Sequence, residues 1–100
     1  MDKYVVKLYS SAYRELNSIY SYIAEKLSEP GTAMKIANAL EEAILSLETI
    51  PERAPVRRNG VYGSGEYRQL FVKNYVIIYR VMKDLREVHI ITVRYAASLF

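Results

Sequence analysis

The 100-residue chain contains no cysteine. That excludes a disulfide framework and a thiolate metal site, and it fits a reducing compartment. No early basic segment leads into an apolar run, so no signal peptide is expected. The longest apolar stretches fall far below the ~20 residues of a membrane-spanning helix. These absences point to a cytoplasmic protein with no membrane partner. A single histidine, His89, lies in mid-strand, where an imidazole is more often packed than catalytic. Glycine and proline are also few, and they cluster: residues 51–66 hold three of the four glycines and two of the three prolines. That segment, PERAPVRRNGVYGSGE, therefore reads as a loop, with Gly60, Gly63 and Gly65 serving turns.

What remains is ordinary globular material. Apolar residues make up 51% and charged residues 25% of the chain, which suits one domain spanning 1–100 with one core. Charge is unevenly spread. Residues 1–51 carry five Lys/Arg against seven Asp/Glu, a net −2, and residues 52–100 carry nine against four, a net +5. A basic half attracts phosphate backbones or an acidic protein partner, and an equal weight falls on a merely soluble surface.

Along the chain, KYVVKLY (3–9) has strand composition. Ser10 and Ser11 offer a helix N-cap, and Leu16, Ile19, Tyr20, Ile23 and Leu27 recur at helical spacing over 11–28. Pro30-Gly31 breaks that helix. Thr32 is positioned to cap a second helix, whose stripe is Ile36, Leu40, Ala43, Ile44 and Leu47, and Pro51 stops it after Ile50. The last third is β: residues 67–73, 75–83 and 87–95, separated by Lys73-Asn74 and Asp84-Leu85-Arg86. The expected fold is α+β with the order β-α-α-β-β-β, an antiparallel sheet packed on a helical hairpin.

Strand parity places Tyr75, Ile77, Tyr79 and Val81 on one face and Val76, Ile78, Arg80 and Met82 on the other. In the last strand it groups Val88, Ile90, Thr92 and Arg94 against His89, Ile91, Val93 and Tyr95. Apolar residues on both faces predict a central, covered strand pair. Arg80 and Arg94 are the exceptions, since charge near a sheet centre is costly unless paired or at the rim. Either they reach water at the strand ends, or they line an anion-attracting face with Arg68 and Lys73.

These pieces together resemble the RelE/ParE superfamily, toxins of type II toxin–antitoxin modules, along nearly the whole chain. The helices LNSIYSYIAEKL and ANALEEAILSLETIPE, the hairpin YRQLFVKNYVIIYRV and the closing strand VHIITVRY occur in the family's order and spacing. The resemblance is closer to the ParE branch. It implies a growth-inhibiting toxin, with no cofactor and no metal, that is neutralised by a cognate antitoxin. RelE-like members cleave messenger RNA on the ribosome, whereas ParE-like members poison DNA gyrase without cutting nucleic acid.

Cleavage through a 2′-hydroxyl needs a base, cations for the developing phosphorane charge, and an acid. RelE-like enzymes place an arginine directly after the first tyrosine of the central strand, where this chain has Val76. They place another just past the last strand, where this chain has Ala96-Ala97-Ser98. A nuclease would have to rely on Lys73, Arg80, Arg94 and Tyr95, yet arginine is a poor base and tyrosine titrates far above neutrality. Gyrase is therefore the expected target, with ribosome-bound mRNA the alternative, and a degenerate, non-toxic binding module a third. ParE-type chains often continue with a basic tail, and this one stops at Leu99-Phe100. Candidate target- or phosphate-binding residues are Arg57, Arg58, Arg68, Lys73, Arg80 and Arg94. Ten tyrosines are numerous for this length. At least half are expected in the core, with Tyr22 and Tyr62 the candidates for antitoxin contact.

Overall fold

The structure is a computed structural model and describes residues 3–98; Leu99 and Phe100, the expected end of a shortened tail, lie outside the described residues. Strand β1 (Val5–Leu8) is followed by helix α1 (Ser10–Ser21), a π-helical turn (Tyr22–Lys26), and helix α2 (Pro30–Ser46). Strands β2 (Arg68–Val72), β3 (Tyr75–Met82) and β4 (Glu87–Tyr95) complete one four-stranded sheet in the order β1-β4-β3-β2. No helix among the described residues is long and apolar enough to cross a membrane.

The three C-terminal strands are antiparallel, as expected, but β1 pairs with β4 in parallel, so the sheet is mixed. Residue alternation reports which face a side chain takes, not which way a neighbour runs. In this register Val6 lies beside Val88 and Leu8 beside Ile90, and the chain leaves β1 directly into α1.

The helix ends differ from those read in the sequence. Neither Ser10 nor Ser11 caps α1, whose N-cap is Tyr9 without a side-chain bond. Ser11 instead donates its hydroxyl to the Ile91 carbonyl at 2.9 Å and ties the helix to β4. The first helical segment ends at Lys26 with Leu27 as its C-cap, and Ser28 beyond it sits at φ 53°, the left-handed conformation that stops a helix. Pro30 then opens α2 at its first helical position, where its missing N–H costs nothing. Thr32 therefore lies inside the helix, donating to Glu29 Oε1 at 3.3 Å rather than capping. At the other end α2 stops at Ser46, ahead of the Pro51 boundary.

The core lies between the helices and one sheet face. Ala12, Leu40, Ile44 and Leu47 pack against Leu70, Ile77, Tyr79, Val88, Ile90 and Val93, with Ala54 of the loop completing the layer. A β-bulge alters the parity of β4: Ile78 opposes Thr92 and Tyr79 opposes Ile90, so Ile91 has no partner across β3. The extra residue flips the second half of the strand. Val93 and Tyr95 therefore join Val88 and Ile90 on the helical face, while Thr92 and Arg94 join His89 on the outer face. That reverses the grouping given by simple alternation.

Of the tyrosines only Tyr79 is fully buried; Tyr9, Tyr13, Tyr20, Tyr22 and Tyr95 are exposed. The core thus takes fewer of them than composition suggested, because the β-branched residues and leucines of the sheet and α2 already fill it.

Candidate functional site

Residues directly opposed in neighbouring strands point to the same face. That rule divides the candidate cations. Arg80 opposes His89 and Arg94 opposes Val76, so both leave the outer face, whereas Arg68 opposes Tyr79 on the helical face. Arg68 is mostly buried and donates to the Ala54 carbonyl at 2.7 Å and to Glu52 at 3.2 Å. Glu52 also meets Lys83 at 3.1 Å. This cluster clamps the 51–56 segment beneath the sheet edge, together with the Tyr79 hydroxyl, which donates to the Pro51 carbonyl at 2.8 Å. Burial pushes the Tyr79 phenol above its ordinary pKa.

On the outer face the loop folds back along β2. The Val56–Arg68 bridge extends the sheet by one residue, and Arg57 N–H donates to the Tyr67 carbonyl at 2.7 Å. The Arg57 guanidinium donates to the Val61 carbonyl at 2.6 Å and to Gln69 Oε1 at 3.0 Å. Arg58 lies beside it, lining a shallow polar pocket of about 290 Å³ with Asn59, Gly60 and Gln69. Gly63 has a steric reason to be glycine: a Cβ there would stand 2.8 Å from the Asn59 carbonyl carbon. Tyr62, at φ 65°, packs edge-on against Tyr67. Arg80 is held against Glu66 at 2.9 Å, with its guanidinium 5.9 Å from the Tyr67 ring centroid. Lys73 stands exposed at the tip of the β2–β3 hairpin in the left-handed conformation.

His89 is at the centre of a second outer-face network. Its Nε2 faces Glu87 Oε1 at 2.9 Å and its Nδ1 faces the Tyr9 hydroxyl at 3.3 Å. Lys7 reaches the other Glu87 oxygen at 2.7 Å. Both ring nitrogens are thus occupied, the arrangement of a positioned structural imidazole. The Lys7 ammonium, and after it His89, hold the Glu87 carboxyl below its ordinary range. A carboxyl with a lowered folded pKa contributes stability that is present above its unfolded pKa and lost as pH falls through the folded value. Glu87→Gln is therefore expected to lower stability at neutral pH and to converge on the unmodified protein in acid, well below pH 4.5, so that its acid limb is flatter, as read by urea midpoints at stepped pH. Among the described residues no three His, Cys, Asp or Glu side chains group to hold a metal ion.

A cavity of about 720 Å³ lies where the helical hairpin meets the ends of β3 and β4. It gathers residues that the sequence placed in separate roles: Tyr22 from the π-helical turn, Arg94 and Tyr95 from β4, together with Tyr75, Glu15 and Glu29. The π turn is marked by the Leu27 N–H donating to the Tyr22 carbonyl at 3.2 Å. Such widened turns are common at functional sites. Tyr75 and Tyr95 pack edge to face, ring centroids 5.9 Å apart. Burial, and then the neighbouring Tyr95 and Tyr22 phenols, raise the Tyr75 pKa. Glu15 closes the edge of β4 beyond the end of β1. It accepts from the Val93 N–H at 3.1 Å and from the Thr92 hydroxyl at 2.7 Å, and lies 3.9 Å from Arg94 Nε. Sequence reasoning passed over Glu15. Its one signal is the polar line Ser11, Glu15, Ser18, Tyr22 at helical spacing beside the apolar stripe.

A two-helix layer on one face of a four-stranded mixed sheet, with an outer face crossed by arginines, is the architecture of RelE/ParE-like toxins. The family model described as the ParE toxin of the type II toxin–antitoxin system parDE matches residues 6–100, and the chain belongs to that family. Among solved structures, the fold is similar to a chromosomal ParDE toxin–antitoxin system from P. aeruginosa, with a TM-score of 0.75 at 19% identity over 93% of this chain and 96% of that one. It is also similar to the RelBE2 toxin–antitoxin complex from Mycobacterium tuberculosis, with a TM-score of 0.70 at 20% identity over 98% and 97%. A mutant of the E. coli toxin RelE in the free state matches at a TM-score of 0.63 and 15% identity over 95% and 85%. A comparison with curated protein sequences finds no significant match.

Proposed function

We propose that the protein is the growth-inhibiting toxin of a type II module, held inactive in the cytoplasm by a cognate antitoxin, and that it acts by binding DNA gyrase rather than by cutting mRNA. The observation that carries the choice of target is how the groups a nuclease would need are held: Arg94 and Tyr95 border one cavity but leave opposite sheet faces, and Arg80 lies further along the outer face. Arg80 is held by Glu66 on the outer face, Arg94 bonds to Thr92 and approaches Glu15, Tyr95 packs on Tyr75 at the helical face, and Lys73 stands at the hairpin tip. Val76, where a cleaving relative carries an arginine, is buried. Arginine stays protonated and cannot serve as the base, and a phenol titrates far above neutrality.

Arg57, Arg58 and Arg80 along the outer face, with Arg94 at its edge, then serve as a binding rim for the target, and Tyr22 and Tyr62 as contacts for the antitoxin. Purified protein is expected to inhibit gyrase supercoiling, and primer extension on translated message is expected to show intact mRNA. Cuts in the message that Arg94→Ala abolishes, with supercoiling unaffected, would replace this reading with ribosome-dependent cleavage. Harmless expression without any antitoxin would mark a binding module.

A further inference from the structure

We infer that the cavity bounded by the π-helical turn is a receptor for a single basic side chain, preferentially arginine, presented by a protein partner. The inference rests on the reading of Tyr22 as a protein contact and holds for either gyrase or mRNA as target.

Three aromatic rings, Tyr22, Tyr75 and Tyr95, line one cavity with two carboxylates, Glu15 and Glu29. Ring faces attract cations, and the attraction grows as the cation is desolvated. Arg94 is the one cation among the described lining residues, and it lies 3.9 Å from Glu15. Those two charges largely offset each other, which leaves Glu29 to set the sign. Glu29 receives the Thr32 hydroxyl on Oε1, and a carboxylate has acceptor capacity for further donors. Tyr22 and Tyr95 are 57% and 51% exposed, so both rings are open to a ligand. Ile23, Leu27 and Ile36 supply an apolar wall for the methylene stem of a long basic side chain. The volume of about 720 Å³ admits such a side chain with its flanking backbone. A phosphate or carboxylate would meet the Glu29 charge, so that carboxylate selects against anions. Guanidinium is favoured over ammonium because it stacks on aromatic faces and donates to a carboxylate in a fork.

The test is an NMR titration of the full chain with capped Gly-X-Gly tripeptides in which X is arginine, lysine, norleucine or glutamate. The arginine peptide is expected to shift the amides of residues 22–27 and 93–95, and to bind at least about threefold more tightly than the norleucine peptide. The glutamate peptide is expected to leave those amides unmoved. Glu29→Gln and Tyr22→Ala should each weaken the arginine peptide about threefold, while Tyr22→Phe should match the unmodified protein, because the ring face and not the hydroxyl supplies the attraction. Equal binding of norleucine and arginine would overturn the inference in favour of an apolar anchor pocket. Binding of the glutamate peptide, or no cavity shifts from any peptide at millimolar concentration, would also overturn it. Both tyrosine changes are at an exposed position, so a native spectrum in the free variants separates lost binding from lost folding.

Discussion

Tyr79→Ala is expected to lower the unfolding free energy by about 4 kcal/mol, the usual cost of emptying an aromatic site in a packed core. Tyr79 is fully buried on β3, at the centre of the layer that also contains Leu40 and Leu47. For a domain of this size total stability is typically ~5–15 kcal/mol, so this one change removes a large share. Tyr79→Phe separates the two contributions. It keeps the ring but leaves the Pro51 carbonyl without its 2.8 Å donor, at a cost of about 1–2 kcal/mol. Urea unfolding reads both values, and the slope should stay constant if the native packing alone changes. A Tyr79→Phe midpoint equal to that of the unmodified protein would mean that the hydroxyl does not anchor the 51–56 segment.

Glu15→Ala is expected to cost about 2–3 kcal/mol, a large effect for a single partly exposed surface carboxylate. The reason is what it leaves behind. The Thr92 hydroxyl, in a residue only 2% exposed, and the Val93 N–H both lose their acceptor, and Arg94 loses its nearby counter-charge. Buried donors without partners carry the full desolvation penalty. Glu15→Gln retains one acceptor oxygen and should recover about half of the loss. Amide hydrogen exchange gives the local readout: Val93 should lose protection in Glu15→Ala before the rest of β4 does. Unchanged protection there would remove Glu15 from the role of edge cap.

The two variants touch features of different legibility. Tyr79 was readable from the strand period as sharing a face with Ile77 and Val81, but not as facing the helices, because β3 is apolar on both sides. The stripe Ile36, Leu40, Ala43, Ile44 and Leu47 was readable for the same reason at helical period. The role of Glu15 was not readable, because it follows from β1 stopping at Leu8 while β4 continues to Tyr95. An exposed stretch of strand edge exists only once two strands of unequal length are side by side. The same applies to the arginines. As a group they marked the second half of the chain as basic, but facing and pairing decide what each one does. The bulge at Ile91 sent Arg94 outward and Tyr95 inward, and no alternation pattern announces a bulge in a strand that is apolar on both sides.

The order of elements, the helical hairpin, the three antiparallel strands and the family were determined by the sequence itself, because period, turn chemistry and hydrophobic pattern act locally and are written in consecutive residues. The tertiary structure alone decided the parallel pairing of β1, the separation of Arg68 from Arg80 and Arg94, and the meeting of Tyr22, Tyr75 and Tyr95 around one cavity. Each of those depends on distances between segments far apart in the chain, and such distances are set by packing and register rather than by the identity of neighbours along the backbone.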